Sequence, residues 1–153
     1  MRLFKTFVVF ISVLVIAPAF AQDNMQILHD KIKADKKLVV AANMQLTDAE
    51  AKRFWPVYDA YQKDLEKINA RLANLILNYA NVYNQGAVPD ATAKKLLDEA
   101  LAIEEAEVKL KRSYVPKLKK ALPDWKVARY VQIENKIRAI IRYELAAGVP
   151  LVE

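Results

Sequence analysis

Residues 47–84 read TDAEAKRFWPVYDAYQKDLEKINARLANLILNYANVYN and carry one row of apolar side chains along their whole length. Members of the row are separated alternately by four and three positions, the heptad spacing of two helices in extended contact. The row consists of Phe54, Tyr58, Tyr61, Leu65, Ile68, Leu72, Leu75, Tyr79 and Val82. We therefore expect a helix of roughly 55 Å over 47–84, with a partner helix lying along the row.

The start of this helix is marked by a capping box. Thr47 has a good N-cap side chain, and Glu50 follows three positions later. The threonine hydroxyl can accept from the Glu50 backbone N–H, while the glutamate can accept from the Thr47 N–H. Pro56 lies inside the predicted helix and removes one backbone donor, so we expect a bend near Phe54 and Trp55.

The remaining breaks divide the chain into four predicted helices. They fall near 43–47, at 84–90, at 122–124 and at 148–150. The predicted helices span about 25–42, 47–84, 90–121 and 124–147, with Asp124 capping the last. No stretch alternates apolar and polar residues long enough for a strand. We expect an all-α, elongated four-helix arrangement in which the two long helices form an antiparallel hairpin.

The N-terminus has the pattern of a secretory signal peptide. Arg2 and Lys5 precede the uncharged stretch 6–17, and Ala19-Phe20-Ala21 offers small residues for cleavage after Ala21. The uncharged stretch is short for a membrane span, so a retained anchor is the less favoured interpretation. We expect residues 1–21 to be removed, and 22–153 to form a single helical domain in the periplasm without stable membrane insertion.

Composition excludes several classes of site. The chain has 153 residues with 2 glycines, no cysteine and one histidine, His29. Thiolate zinc sites, disulfides and thiol catalysis are therefore absent, and di-metal bundle sites built on Glu-x-x-His pairs cannot be assembled. We expect no enzyme activity, no cofactor and no metal. The net charge is +6, or +4 without Arg2 and Lys5 of the signal-like segment, and this excess suits acidic protein partners. Export argues against a nucleic-acid partner.

Two helix starts resemble each other. A shift of 76 positions places Leu46, Asp48, Arg53, Phe54 and Val57 on another set of residues. That set is Leu122, Asp124, Arg129, Tyr130 and Ile133. Capping and amphipathicity alone could produce such a match, and so could a duplicated motif.

Leu46-Thr47-Asp48-Ala49-Glu50, which follows a basic first helix, resembles the motif of the LTxxQ family of exported helical proteins, typified by Spy and CpxP. The run Phe54-Trp55-Pro56-Val57-Tyr58 resembles a subgroup with a Phe-Trp-Pro-x-Tyr signature. Glu50 replaces the family's glutamine, and the second motif at 122–126 lacks both threonine and glutamine. The resemblance implies a periplasmic all-α protein that acts as an ATP-independent chaperone or as an envelope stress sensor, built as a cradle from two antiparallel subunits.

Two functions are compatible with the sequence. The first is a chaperone-like or envelope-stress protein that holds unfolded or partner proteins on a basic, partly apolar helical surface. The second is an envelope regulatory or structural module that binds one specific folded partner. A long helix pair in so small a chain also suggests a homodimer.

The candidate residues fall into two groups. The motif and helix-cap residues are Leu46, Thr47, Asp48, Glu50, Leu122 and Asp124. The candidate protein-binding residues are Lys31, Lys33, Lys36, Lys37, Trp55, Lys109, Lys111, Arg112 and Trp125. On the third predicted helix, Glu105–Lys109 and Glu107–Lys111 have the spacing of intrahelical ion pairs, which is the structural alternative for those lysines.

Overall fold

The computed structural model describes residues 35–152, and every regular element among them is helical. Helix α1 covers 35–44 of this range, α2 spans Asp48–Tyr83, α3 spans Asp90–Ala121 and α4 spans Asp124–Gly148. The predicted all-α fold class is confirmed. The predicted signal peptide, the cleavage site and the residues at 22–34 lie outside the described residues.

The residues from Leu38 onward form one compact unit, Leu38–Glu153. Helices α2, α3 and α4 and the core between them belong to this unit. No helix within 35–152 combines the length and apolarity that a membrane span requires.

Helices α2 and α3 form the predicted antiparallel hairpin. Tyr114 of α3 donates to Asp64 of α2 at 2.7 Å, and Arg71, further along α2, pairs with Glu99, earlier in α3. The numbers rise along one helix as they fall along the other, which establishes the antiparallel direction. At 36 and 32 residues, the helices are roughly 54 Å and 48 Å long. Pro56 and Pro116 lie within helices that continue through them.

Helix α4 runs antiparallel to α3 and parallel to α2. Its Asn135 accepts from Lys111 at 2.7 Å, and Arg142, which lies later in α4, pairs with Glu104, which lies earlier in α3. Toward α2, Gln62 donates to Glu134 at 2.9 Å. The tail after α4 reaches the far end of α2, where the Tyr79 hydroxyl donates to the Pro150 carbonyl at 3.0 Å.

The core is concentrated at the end of the hairpin where α2 begins and α3 ends. Residues from all four helices meet there, and tyrosines and a phenylalanine supply its centre. Tyr130 of α4 lies edge-on to Phe54 at 5.1 Å between ring centroids, and Tyr61 lies edge-on to Tyr114 at 5.3 Å. The cluster comprises Val40, Met44, Phe54, Tyr58, Tyr61, Leu65, Tyr114, Leu118, Ala121, Leu122, Val127 and Tyr130. We call this set the basal core.

Beyond the basal core the hairpin is covered less completely. Ile68, Tyr79 and Ile103 are still buried between α2 and α3, but Leu72 and Leu75 are only half-buried. The predicted row on α2 therefore faces α3 as expected, while burial declines along it. The decline follows from the number of helices that pack: four at the base and mainly two towards the turn.

We predict that Phe54→Ala lowers the free energy of unfolding by about 3–5 kcal/mol, because the fully buried ring leaves a cavity among its aromatic neighbours. Urea denaturation monitored by circular dichroism measures the change. Leu77→Ala on the same helix is the control, since Leu77 is 61% exposed and should cost less than 1 kcal/mol. A loss below 1 kcal/mol for Phe54→Ala would contradict the placement of the basal core.

Candidate functional site

The predicted capping box is present at the start of α2. The Thr47 hydroxyl accepts from the Glu50 N–H at 3.3 Å, and the Thr47 N–H donates to the Glu50 carboxylate at 2.9 Å. Two of the helix's unpaired N-terminal donors are satisfied in this way. Leu46, which precedes the cap, packs against the basal core. The first motif thus adopts the local structure that its residues predict.

The second motif reaches across to the first. Lys126 of α4 is buried, and its ammonium group donates to Glu50 at 2.5 Å and to the Gln45 carbonyl at 2.8 Å. The hydrogen bond from Lys126 is the largest cause that lowers the pKa of Glu50, followed by the Thr47 N–H. Glu50 therefore serves both as a helix cap and as the counter-ion of a buried lysine.

A second cation of α4 binds the end of α1. Arg129 donates from Nε to the Asn43 carbonyl at 2.6 Å, two positions before Gln45, whose carbonyl accepts from Lys126. The last carbonyls of a helix have no partner within it and attract positive charge. Lys126 and Arg129 together therefore tie the α1–α2 connection to α4. Gln45 has a positive φ of 47°, which turns the chain sharply between the two helices.

The two similar helix starts pack against each other through equivalent positions. Glu50 and Lys126 are separated by 76 positions and form an ion pair, and Phe54 and Tyr130, with the same separation, are in edge-to-face contact. Contacts between equivalent residues are what two copies of one motif produce when they pack about a local two-fold axis. The two helix starts therefore match in sequence and also pack through equivalent residues, which favours a duplicated motif.

Asp124 does not cap α4 as predicted. Helix α4 begins at Asp124 itself, its N-cap is Pro123, and no side chain makes a capping hydrogen bond. Asp124 lies in the first turn, where a negative charge is favourable, and pairs with Lys119 at 3.2 Å. The prediction was wrong because the proline occupies the cap position with the extended backbone that a cap requires. Leu122 is buried in the basal core.

Buried polar groups continue from the motifs along α4. Glu134 is buried beside the tyrosines of the basal core and accepts from Gln62. Burial, and then the nearby Glu134 charge, raises the pKa of Tyr61 to about 12 and raises that of Tyr130 as well. These hydroxyls stay protonated at physiological pH and act as hydrogen-bonding groups within the core.

A second charged cluster joins α3 to α4. Glu107 is buried and forms ion pairs with Arg138 and Arg142, and Arg142 also lies 3.4 Å from Glu104. Burial, and then the charge of Arg142, lowers the pKa of Arg138. The predicted pair Glu107–Lys111 does not form, because the glutamate turns inward to the arginines and Lys111 binds Asn135 instead.

The candidate lysines and arginine are distributed over different environments. Lys31 and Lys33 lie outside the described residues. Lys36 and Lys37 are half-buried and have partners, and Lys111 is half-buried and bonded to Asn135.

Lys109 and Arg112, by contrast, project from α3 into solvent. Glu105 is exposed beside them, and the predicted Glu105–Lys109 pair is not formed. Within residues 35–152, Glu105, Lys109 and Arg112 make no hydrogen bond or ion pair. Among residues 35–152, the basic candidates therefore do not gather into one patch, and the exposed ones lie on α3.

The two candidate tryptophans differ. Trp125 is 58% exposed, with the Lys126 ammonium 5.3 Å from its ring centroid. Trp55 is half-buried at the edge of the basal core, in edge contact with Phe54 and Tyr58. Trp125 is thus available for contact with another molecule, whereas the structure uses Trp55 for packing.

The second half of α4 is an exposed segment that was not among the predicted site residues. Every residue from 139 to 148 of α4 is exposed, although this segment contains several large apolar side chains. They are Ile140, Ile141, Tyr143 and Leu145, and Leu151 and Val152 of the tail are exposed as well. Ile140, Ile141 and Leu145 continue the apolar spacing of the first half of α4, so the sequence pattern alone does not mark them as exposed.

The described residues contain no group of three or more side chains able to hold a metal ion. No family model, curated protein or solved structure matches the chain. The resemblance to the LTxxQ family consequently stays a prediction from the motif residues.

We predict that Glu50→Gln destabilises the protein at neutral pH, because Lys126 loses its counter-ion in a buried position. The folded-state pKa of Glu50 lies below 4.5, so the charged pair stabilises the fold above that pH and is lost as the pH falls further. The difference in unfolding free energy between wild type and Glu50→Gln should be constant from pH 7 to about 5 and shrink below 4.5. Urea titrations across this range measure it.

Asp64→Asn is the matched control for this experiment. Asp64 also has a lowered pKa, through its bonds to Lys67 and Tyr114, but it lies away from the Lys126 cluster. Combining Lys126→Met with Glu50→Gln should recover part of the stability lost by either variant, whereas combining it with Asp64→Asn should give additive losses. Additive losses in both pairs would contradict the coupling of the two motifs.

Proposed function

We propose that this chain is an exported, ATP-independent, chaperone-like or envelope-stress protein that holds unfolded or partner proteins on a helical surface. The observation that carries the proposal is the exposed end of α4. From 139 to 148 this helix presents large apolar side chains to solvent, and the exposed Lys136 lies just before them, whereas Arg138 and Arg142 are already paired with Glu107. Exposed apolar clusters of this kind mark interaction surfaces, and an adjacent cation attracts acidic segments.

The size of the surface favours weak, reversible holding. Burying an isoleucine or a tyrosine side chain contributes about 1.5–3 kcal/mol, and four such residues lie on the exposed end of α4. Association itself costs about 4–15 kcal/mol in lost freedom of motion. The net affinity is therefore modest, which suits a protein that must release its client without an energy source.

The place of action and the assembly belong to the same proposal. The signal-like residues 1–21 and the motif resemblance support export to the periplasm with cleavage after Ala21. Towards the turn between α2 and α3, Leu72 and Leu75 are only half-buried. This supports a homodimer, since a second copy would cover apolar surface that one chain leaves exposed.

We predict that the mature chain delays the aggregation of a thermally unfolded client protein in a dose-dependent manner without ATP. Ile140→Ser combined with Tyr143→Ser should weaken client binding by ~100-fold, because about 3 kcal/mol of apolar contact is removed. Light scattering of the client at increasing ratios of protein to client measures the delay. Raising the salt concentration should reduce the initial rate of capture.

Leu38→Ser is the matched control, because Leu38 is 68% exposed but lies on α1, away from the exposed end of α4. Circular dichroism and urea denaturation of every variant verify that the fold is intact. If the double variant suppressed client aggregation as fully as the wild type, the binding surface would not be the exposed end of α4. No suppression by the wild-type chain in stoichiometric excess would refute holding. A stable one-to-one complex with a single envelope protein would then identify the alternative, a module that binds one specific folded partner.

A further inference from the structure

The second half of α3 is strongly basic. From 109 to 123 the chain carries no carboxylate, and its cations are Lys109, Lys111, Arg112, Lys117, Lys119 and Lys120. The first half of the same helix has the opposite character, since six acidic residues and two lysines lie from 90 to 108. The charge along α3 is therefore polarised, and its positive half lies towards the base, where the helix ends.

Four of these cations share the outer side of α3. At ~100° per residue they fall within an arc of roughly 100°, on the side opposite the buried Tyr114 and Leu118. All four are exposed, and they extend over roughly 17 Å of the helix. They are Lys109, Arg112, Lys119 and Lys120, and we call them the basic flank.

The basic flank is available to a partner of opposite charge. Lys109, Arg112 and Lys120 make no hydrogen bond or ion pair within residues 35–152. Lys119 contacts Asp124 at 3.2 Å, but both side chains are more than half exposed, so water and salt screen this pair. A partner that binds the flank would therefore disrupt no buried interaction.

An exposed indole lies at the base end of the flank. Trp125 is 58% exposed in the first turn of α4, and it directly follows Asp124, which Lys119 contacts. Tryptophan is enriched where apolar and aqueous phases meet, because its ring is apolar while its N–H needs a hydrogen-bond partner. Cations beside an exposed tryptophan are typical of helices that lie on an anionic lipid surface.

The arrangement of the flank suits a lipid surface better than a folded protein. Ser113 and Pro116 lie between its cations, so the flank offers charge without the apolar core of a protein interface. Clusters of about four to eight lysines and arginines on an amphipathic helix are the pattern of anionic phospholipid binding. A layer of phosphate headgroups presents many negative charges side by side, so it can meet all four cations at once.

We propose that the basic flank and Trp125 bind reversibly to the surface of a membrane that contains anionic phospholipid. Each cation near such a surface strengthens partitioning about fivefold, and the attraction falls off within about one Debye length. The contact is therefore peripheral and sensitive to salt. The exposed end of α4 begins roughly 21 Å beyond Trp125 along the helix, so a bound protein keeps that surface free for a client.

A paired lysine substitution tests the flank. Lys119→Gln combined with Lys120→Gln should weaken partitioning of the mature chain about 25-fold, because two cations are lost. Co-sedimentation with vesicles of equal parts phosphatidylglycerol and phosphatidylcholine measures partitioning. Added salt should release the wild-type chain, and vesicles of phosphatidylcholine alone should not bind it.

Lys94→Gln combined with Lys95→Gln is the matched control, in the first half of the same helix. In each pair of lysines, one contacts an exposed aspartate and the other has no partner within residues 35–152. The control variant should partition as the wild type does. Circular dichroism verifies that both variants are folded.

Fluorescence identifies the indole that meets the lipid, since the chain has two tryptophans. Anionic vesicles should shift the emission of the Trp55→Phe variant to shorter wavelength, because its remaining indole, Trp125, leaves water. They should leave the emission of the Trp125→Phe variant unchanged, because Trp55 packs at the edge of the basal core.

A wild-type chain that does not partition into anionic vesicles at low salt would overturn the proposal. Equal losses from the two lysine pairs, or no loss from either, would overturn it as well. The same holds for an emission shift that persists in Trp125→Phe or is absent from Trp55→Phe. Binding to soluble poly-glutamate without binding to vesicles would assign the flank to an acidic protein instead. No client is present in these measurements, so they are independent of the aggregation assay.

Discussion

The packing of Tyr130 against the start of α2 is the contact on which the rest of the structure depends. Its ring meets Phe54, Tyr58 and Tyr61 from one side, and its own helix supplies Lys126 and Arg129 to the α1–α2 connection. Burial of these aromatic rings supplies the apolar free energy, and the two cations determine how α1 and α4 are oriented at that end. All four helices are joined within this one region.

Concentrating the core at the base leaves the other end of the hairpin thinly covered. Tyr79 and Ile103 remain buried between α2 and α3, but α4 is joined to α3 there by the ion pairs of Glu107 with Arg138 and Arg142. Past these pairs α4 buries none of its apolar side chains. The same distribution that makes the base stable therefore provides the exposed surfaces that the proposed holding and self-association use.

The sequence predicted the parts of the structure that depend on neighbours close along the chain. The Thr47–Glu50 capping box involves residues three positions apart, and the heptad row on α2 predicts its own burial against a partner helix. The sequence did not predict the Glu50–Lys126 pair, whose members are 76 positions apart. The residues around Lys126 do not distinguish a lysine with a buried, distant partner from one that lies in solvent.

The exposed end of α4 was missed for a related reason. Ile140 and Ile141 continue the apolar spacing of Val127 and Tyr130, and periodicity cannot tell whether a facing helix is present to cover them. Asp124 was predicted as the cap because aspartate is favoured at that position. The helix begins at Asp124 itself, and Pro123 is its N-cap.

Native-state hydrogen exchange compares the two halves of α4 most directly. Because the first half packs on the basal core and the second does not, amides of 128–135 should exchange only through global unfolding, and amides of 141–147 through local opening at least ~100-fold faster. Equal protection along the whole of α4 would contradict the concentration of stability at the base.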